Sequence, residues 1–248
     1  MSAATVVKGP KFALVVPSTN TSVEREYHHI RPRDLSWHTG RIMIKAPALD
    51  SADAFGKFRE CLNEALPDAL EVVMTCRPDY IVMGMSAETF WGGVKGNAAF
   101  EQHVRDLTGL EVSTGATAAG EALAAFGAKR IGVVTPYQPV GDEQVVAYFS
   151  ELGFEVAAIK GLCSASATSI ADETPETIRE AFLAVDGPDV DALIQCGTNL
   201  EAIAVAAELE KELGKPVIAI NVATIWHALR ANGIEDKIAG HGSLLELH

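Results

Sequence analysis

Short runs of branched aliphatic residues alternate with longer stretches of helical periodicity along nearly the whole chain. Residues 12–16, 36–44, 80–83, 131–135, 155–159, 192–195 and 217–220 predict strands. Apart from 36–44 they are mostly apolar runs, as expected of parallel strands buried on both faces. Residues 51–76, 98–108, 117–126, 142–152, 175–184, 200–213 and 224–231 carry the 3.6-residue pattern of helices, and Gly127, Gly153, Gly214 and Gly233 stand where several of them should stop. The pattern predicts an α/β protein with helices flanking parallel sheet.

The alternation runs through the chain twice. Asp79-Tyr80-Ile81-Val82-Met83-Gly84-Met85-Ser86 and Asp191-Ala192-Leu193-Ile194-Gln195-Cys196-Gly197-Thr198 are each an aspartate, an apolar run and small or hydroxyl residues. Residues 13–18 and 132–137 likewise each lead a buried strand into a proline-containing turn. Ligands of open parallel sheets bind beyond the carboxyl ends of the strands. The candidate binding residues are therefore Pro17-Ser18-Thr19-Asn20, Gly84-Met85-Ser86, Pro136-Tyr137 and Cys196-Gly197-Thr198-Asn199. Only the second copy has a cysteine, Cys196, where the first has Gly84, so chemistry needing two opposed thiols is disfavoured and a single proton donor remains.

Cys196 is the candidate catalytic residue. A lone buried cysteine is ordinarily a small hydrophobe, but this one ends a strand and precedes Gly-Thr-Asn, where backbone N–H groups can approach an anion. Cys61 and Cys76 fall within and at the end of a helical pattern and read as packing residues; Cys163 precedes a Ser/Ala-rich loop. Tyr137 offers a phenol donor to a carboxylate or enolate oxygen. The seven histidines show no metal-ligand spacing.

Composition narrows the partners. A content of 48% hydrophobic and 21% charged residues is that of a globular protein, and a net charge of −13 without a Lys/Arg run argues against nucleic acid. No segment reaches the roughly 18 to 20 apolar residues of a membrane span, and the start, Met1 to Lys11, has no apolar stretch behind its lysines, so a cytoplasmic protein with reduced thiols is expected. Nucleotide, nicotinamide and zinc motifs are missing. Gly92-Gly93-Val94-Lys95-Gly96 imitates a phosphate loop but follows Phe90-Trp91 rather than a strand.

Taken together in order and spacing, Val15-Val16-Pro17-Ser18-Thr19-Asn20, Val134-Thr135-Pro136-Tyr137, Leu193-Ile194-Gln195-Cys196-Gly197 and Gly214-Lys215-Pro216-Val217 resemble the maleate isomerase and arylmalonate decarboxylase branch of the aspartate/glutamate racemase superfamily. The resemblance implies two pseudo-symmetric flavodoxin-like domains, residues 1–116 with 224–248 and residues 117–223, an active site in the cleft between them, and no metal or organic cofactor. Racemases and isomerases of this kind place a cysteine on each side of the cleft. Gly84 departs from them and resembles the decarboxylase, although Met85 stands where the decarboxylase has a hydroxyl. Pro17-Ser18-Thr19-Asn20 is instead similar to the isomerases, whose asparagine contacts a carboxylate. Ala167 and Ile170, apolar here, match the decarboxylase; isomerases carry an asparagine near Ala167.

What the resemblance implies is a cofactor-independent decarboxylase of malonate-type, 2-substituted dicarboxylic acids, with Cys196 as proton donor. Pro17, Ser18, Asn20, Gly84, Met85, Ser86, Tyr137, Gly197, Thr198, Ala167 and Ile170 would bind the substrate. The enediolate would be held by Ser86, Tyr137 and the backbone N–H groups of the Gly84–Ser86 and Cys196-Gly197 turns. The alternative is a maleate cis-trans isomerase or racemase-like isomerase; a lyase of another dicarboxylate and a silent carboxylate-binding protein also fit. The partner is a small dicarboxylate or 2-substituted acid, and the sequence leaves room for a homo-oligomer.

Overall fold

The computed structural model describes residues 9–30, 32, 34–45 and 48–248; residues 1–8, most of the lysine-bearing start considered above, lie outside the described residues. Two four-stranded parallel sheets are built to one plan. Strands β1 (Lys11–Pro17), β2 (Ser36–Ile42), β3 (Tyr80–Met83) and β4 (Val112–Ser113) lie in the order β2-β1-β3-β4, and β5 (Arg130–Thr135), β6 (Glu155–Gly161), β7 (Ala192–Gln195) and β8 (Val217–Ala219) repeat it as β6-β5-β7-β8. The central strands β1, β3, β5 and β7 are the most apolar, because helices cover both faces there. Full burial of each such aliphatic side chain contributes about 1.5–3 kcal/mol.

The helices among the described residues are α1 (Val23–His29), α2 (Ala52–Met74), α3 (Ala87–Phe90), α4 (Gly93–Thr108), α5 (Gly115–Ala125), α6 (Pro139–Glu151), α7 (Pro175–Val185), α8 (Ile203–Leu213), α9 (Ile220–Ala231) and α10 (Ser243–Leu247). Their starts are set by local chemistry: Ser51, Thr114 and Thr174 accept the free backbone N–H groups of the first turns of α2, α5 and α7. Gly109 and Gly214 end α4 and α8 in the left-handed conformation, with φ of 69° and 64°.

Three expectations need correction. Helix α4 begins at Gly93 rather than near 98, so the glycine run is a helix start, not a phosphate loop; Glu151 accepts from Val94 N at 2.8 Å and already places a carboxylate there. The 217–220 strand ends at Ala219, because Ile220 opens α9. The 200–213 helix begins only at Ile203, leaving Thr198–Ala202 as the turn that faces the first half.

Two features bring the halves together. Helix α9 leaves the second sheet and packs on α5, β3, β4 and α1. The loop before α2 crosses the other way, where Ala48 bridges antiparallel to Ser166 and Leu49 N donates to Ala165 O at 2.9 Å.

Candidate active site

The carboxyl ends of β1, β3, β5 and β7 face one cavity between the sheets. It is lined by both copies of the proline turn, Pro17 and Pro136, and by residues after the strands of both halves. Among the expected site residues, Pro17, Asn20, Met85, Ser86, Tyr137, Ala167, Ile170, Gly197 and Thr198 line it. The other three do not. Ser18 turns to β2, its Oγ accepting from Ile44 N at 3.0 Å. Gly84 faces the core, where a Cβ would meet Val16 Cγ1 at 2.5 Å, Val23 Cγ1 at 3.1 Å and Leu14 Cδ1 at 3.2 Å. Cys196, one residue before the lining Gly197, is not among the lining residues and is 0% exposed.

The polar side of the cavity is a chain of neutral donors crossing from one half to the other. Ser86 Oγ and Tyr137 OH are 2.8 Å apart, Thr198 N donates to Ser86 Oγ at 3.2 Å, and Asn20 Nδ2 donates to Thr198 Oγ1 at 3.3 Å. The Asn20 side chain is fixed from behind, since its Oδ1 accepts from Ser22 N and Val23 N at the start of α1. Burial pushes the Tyr137 phenol far above its ordinary value, partly offset by Ser86, so it is a hydrogen-bond donor.

Two N–H groups expected to meet the substrate are already committed to the sheets. Gly84 N donates to Val15 O and Cys196 N to Val134 O, each at 2.8 Å. Among the described residues, the N–H groups of Met85, Ser86 and Gly197 have no protein acceptor, which leaves them for a ligand. The remaining wall is apolar: Leu49, Phe55, Phe58 and Leu62 come from α2 and the loop before it, and Met85, Ala167 and Ile170 complete it. Phe55 and Tyr137 meet edge-on at 6.0 Å. The sequence did not single out this aromatic wall, because at 55, 58 and 62 it is indistinguishable from the core face of an amphipathic helix.

Among the described residues, no lining side chain carries a formal charge. The ion pair of Arg59 with Glu88, each next in the chain to a lining residue, is closed on itself at 2.7 and 2.8 Å, with Arg59 stacked over Trp91. Burial, with a smaller contribution from Asp142, holds the Cys196 thiol well above its ordinary value, so it rests protonated. Cys163 is exposed, while Cys61 bonds Lys45 N and Met43 O; neither they nor Cys76 line the cavity. Among the described residues, no three His, Cys, Asp or Glu side chains cluster closely enough to hold a metal ion, and no helix is long and apolar enough to cross a membrane.

A cavity that offers neutral donors to a carboxylate, with a protonated thiol one residue before its lining Gly197, has beside it the groups needed to stabilise an enediolate and protonate it. Known proteins match the chain. The maleate isomerase of Pseudomonas putida is 29% identical over 93% of this chain and 95% of its own length. The arylmalonate decarboxylase of Bordetella bronchiseptica is 31% identical over 66% of this chain and 70% of its own. The solved structure of a Nocardia farcinica maleate cis-trans isomerase variant, one cysteine changed to serine and carrying a covalently bound succinylcysteine intermediate, superposes with a TM-score of 0.87 at 25% identity, covering 96% of this chain and 99% of that one. A family model described as arylmalonate decarboxylase matches residues 57–245, and the chain belongs to that family of decarboxylases and isomerases.

Proposed function

We propose that the protein is a cofactor-independent decarboxylase of 2-substituted malonates in which Cys196 protonates the α-carbon. The observation that carries this reading is the lone thiol: the strand end matching Cys196 is Gly84, and methyl groups of Val16 and Val23 fill the space where a second sulfur would begin. One carboxylate accepts from Ser86, Tyr137, Asn20 Nδ2 and the free N–H groups of Met85, Ser86 and Gly197. The other carboxylate and the substituent lie along Leu49, Phe55, Ile170 and Met85. A carboxylate without donors is poorly solvated there and leaves as neutral carbon dioxide.

The electron pair left behind spreads onto the held oxygens as an enediolate. Donors aimed at those oxygens bind the transition state more strongly than the ground state, each being worth about 2.7–4 kcal/mol of barrier. Cys196, next in the chain to the lining Gly197, then delivers its proton to the α-carbon. A proton from one side gives a product of one handedness.

The relatives favour a second reading, cis-trans isomerisation of maleate. The P. putida isomerase matches over more of this chain than the decarboxylase does, and Asn20 lines the cavity as that reading requires. In the N. farcinica variant the intermediate is on a cysteine although another has been replaced, so that protein has two thiols to use. Here Cys196 would have to serve alone, as a thiolate that burial opposes.

The deciding experiment incubates the protein in deuterated water with maleate, 2-substituted malonates and chiral 2-substituted acids, followed by NMR. Carbon dioxide with a singly deuterated product of one configuration is expected, and C196A should lose it while keeping its fold. Fumarate from maleate, or exchange at the α-carbon without carbon dioxide, would replace the decarboxylase with an isomerase.

A further inference from the structure

Strands β3 and β7 are matching pieces of the two halves, and both are buried along their whole length. They differ in their last residue. Strand β3 ends in Met83 and β7 in Gln195, each four residues after the aspartate that precedes it, Asp79 or Asp191. Gln195 is 1% exposed, and an amide in such a place is unfavourable unless it is hydrogen-bonded. Its Nε2 donates to Gly197 O at 2.7 Å, so the side chain reaches past Cys196 to the turn beyond. Met83, which has no donor, completes the first sheet at the same place, so the packing of the strand does not by itself require an amide.

The bonded oxygen belongs to the peptide that joins Gly197 to Thr198. The N–H of that same peptide donates to Ser86 Oγ in the other half at 3.2 Å, and Ser86 Oγ lies 2.8 Å from Tyr137 OH. One line of hydrogen bonds therefore runs from Gln195 through a single peptide unit to both of these hydroxyls. Gly197 O also accepts from Leu200 N at 3.0 Å. Two donors at one carbonyl oxygen fix the plane of its peptide and polarise it, which strengthens the N–H on the far side as a donor. With Thr198 N held on Ser86 Oγ, the hydroxyl protons of Ser86 and Tyr137 are left for each other and for a ligand oxygen. The peptide is closely fitted, since a Cβ at Gly197 would collide with Pro136 and meet Gln195 Nε2 at 3.1 Å.

We infer that Gln195 is a positioning residue that holds Ser86 in its substrate-binding orientation from across the cleft, through the Gly197–Thr198 peptide. This rests on Ser86 being a carboxylate donor, as proposed above. Gln195 does not line the cavity. Its loss is felt in catalysis rather than in folding, because Leu200 N still satisfies Gly197 O and the matching strand end accepts a methionine. A donor turned away from the developing enediolate charge weakens transition-state binding more than substrate binding.

The test is Q195M, which places the residue of the matching strand end at this position. In the free protein, the Thr198 amide proton of the variant should resonate upfield of the parent's and exchange with deuterated water at least about tenfold faster. A Thr198 signal that neither moves nor exchanges faster overturns the inference with no reference to turnover. With 2-methyl-2-phenylmalonate, Q195M should lower kcat at least about tenfold while KM stays within about twofold and the melting temperature is unchanged. A melting temperature that falls along with kcat would make Gln195 a structural residue and overturn the inference. In an S86A background, which has already lost the hydroxyl, Q195M should cause no further loss of kcat. An equal loss there would show that the amide acts on something other than Ser86 and would likewise overturn it. A parent that releases no carbon dioxide would overturn the proposed function instead, and the Thr198 amide measurement would still decide the role of Gln195.

Discussion

Gly84 shows how much one missing Cβ decides. A cysteine there would direct its Cβ into Val16, Val23 and Leu14 rather than into open cleft. Overpacking of this kind costs about 1–3 kcal/mol. G84C alone is therefore expected to lower the melting temperature, and G84C/V16A to recover most of the loss. If the thiol of the relieved variant reaches the enediolate, the product loses its single handedness. A G84C protein as stable as the parent would show that the β3 end shifts to admit the side chain. Met85 next to it is legible in the sequence only as a lost hydroxyl; the structure adds that its side chain is part of the apolar wall. Ser18 misleads because its hydroxyl is used to hold the chain just after β2.

At the level of elements, what the sequence made visible was the repeated strand-helix rhythm, because buried parallel strands and long amphipathic helices have strong periodic signals. The short pieces escaped. Strand β4 is two residues long, and α1 carries only Val23 and Tyr27 as buried positions among charged and histidine side chains. Yet α1 holds a buried acid that bonds to the starts of α8 and α9. Glu26 accepts from Asn221 Nδ2 at the start of α9 and from Ile203 N at the start of α8, at 3.3 Å for the latter. Burial, opposed by these two bonds, raises its carboxyl to about 7. A folded value above the unfolded one means the native state binds the extra proton between about pH 4.5 and 7. Stability from this group is full below that window and is lost as pH rises through it. The full shift corresponds to about 3 kcal/mol, less what solvent screening at the residue's exposed edge removes. E26Q should melt near the parent at pH 4.5 and above it at pH 8, and its amide can also meet the unpaired Asn221 Oδ1. Parallel melting curves at the two pH values would show that Glu26 is solvated.

Across the whole molecule, the function depends on two similar halves being held at one distance, and the site's own residues do the holding. Asn199 is the clearest case. It stands in the second half, one residue after the donor Thr198, but its Oδ1 accepts from Thr21 N at 2.9 Å and Ser22 N at 3.3 Å in the first half. Its Nδ2 donates to Ala167 O at 2.8 Å and Thr19 O at 3.3 Å, and its backbone carbonyl accepts from Ser22 Oγ at 2.7 Å. Removing this amide leaves buried donors and acceptors unpaired, each costing about 1–3 kcal/mol. N199A is therefore expected to lose several kcal/mol of stability. Amide hydrogen exchange should rise first at Thr21 and Ser22 and only later in the central strands of either sheet, which are fully buried. A ligand that bridges Ser86 of one half and Tyr137 of the other should restore part of that protection, because binding energy then replaces the lost contacts. Loss of protection spread evenly over both sheets would mean that the halves unfold as one unit and that Asn199 is simply one buried amide among many.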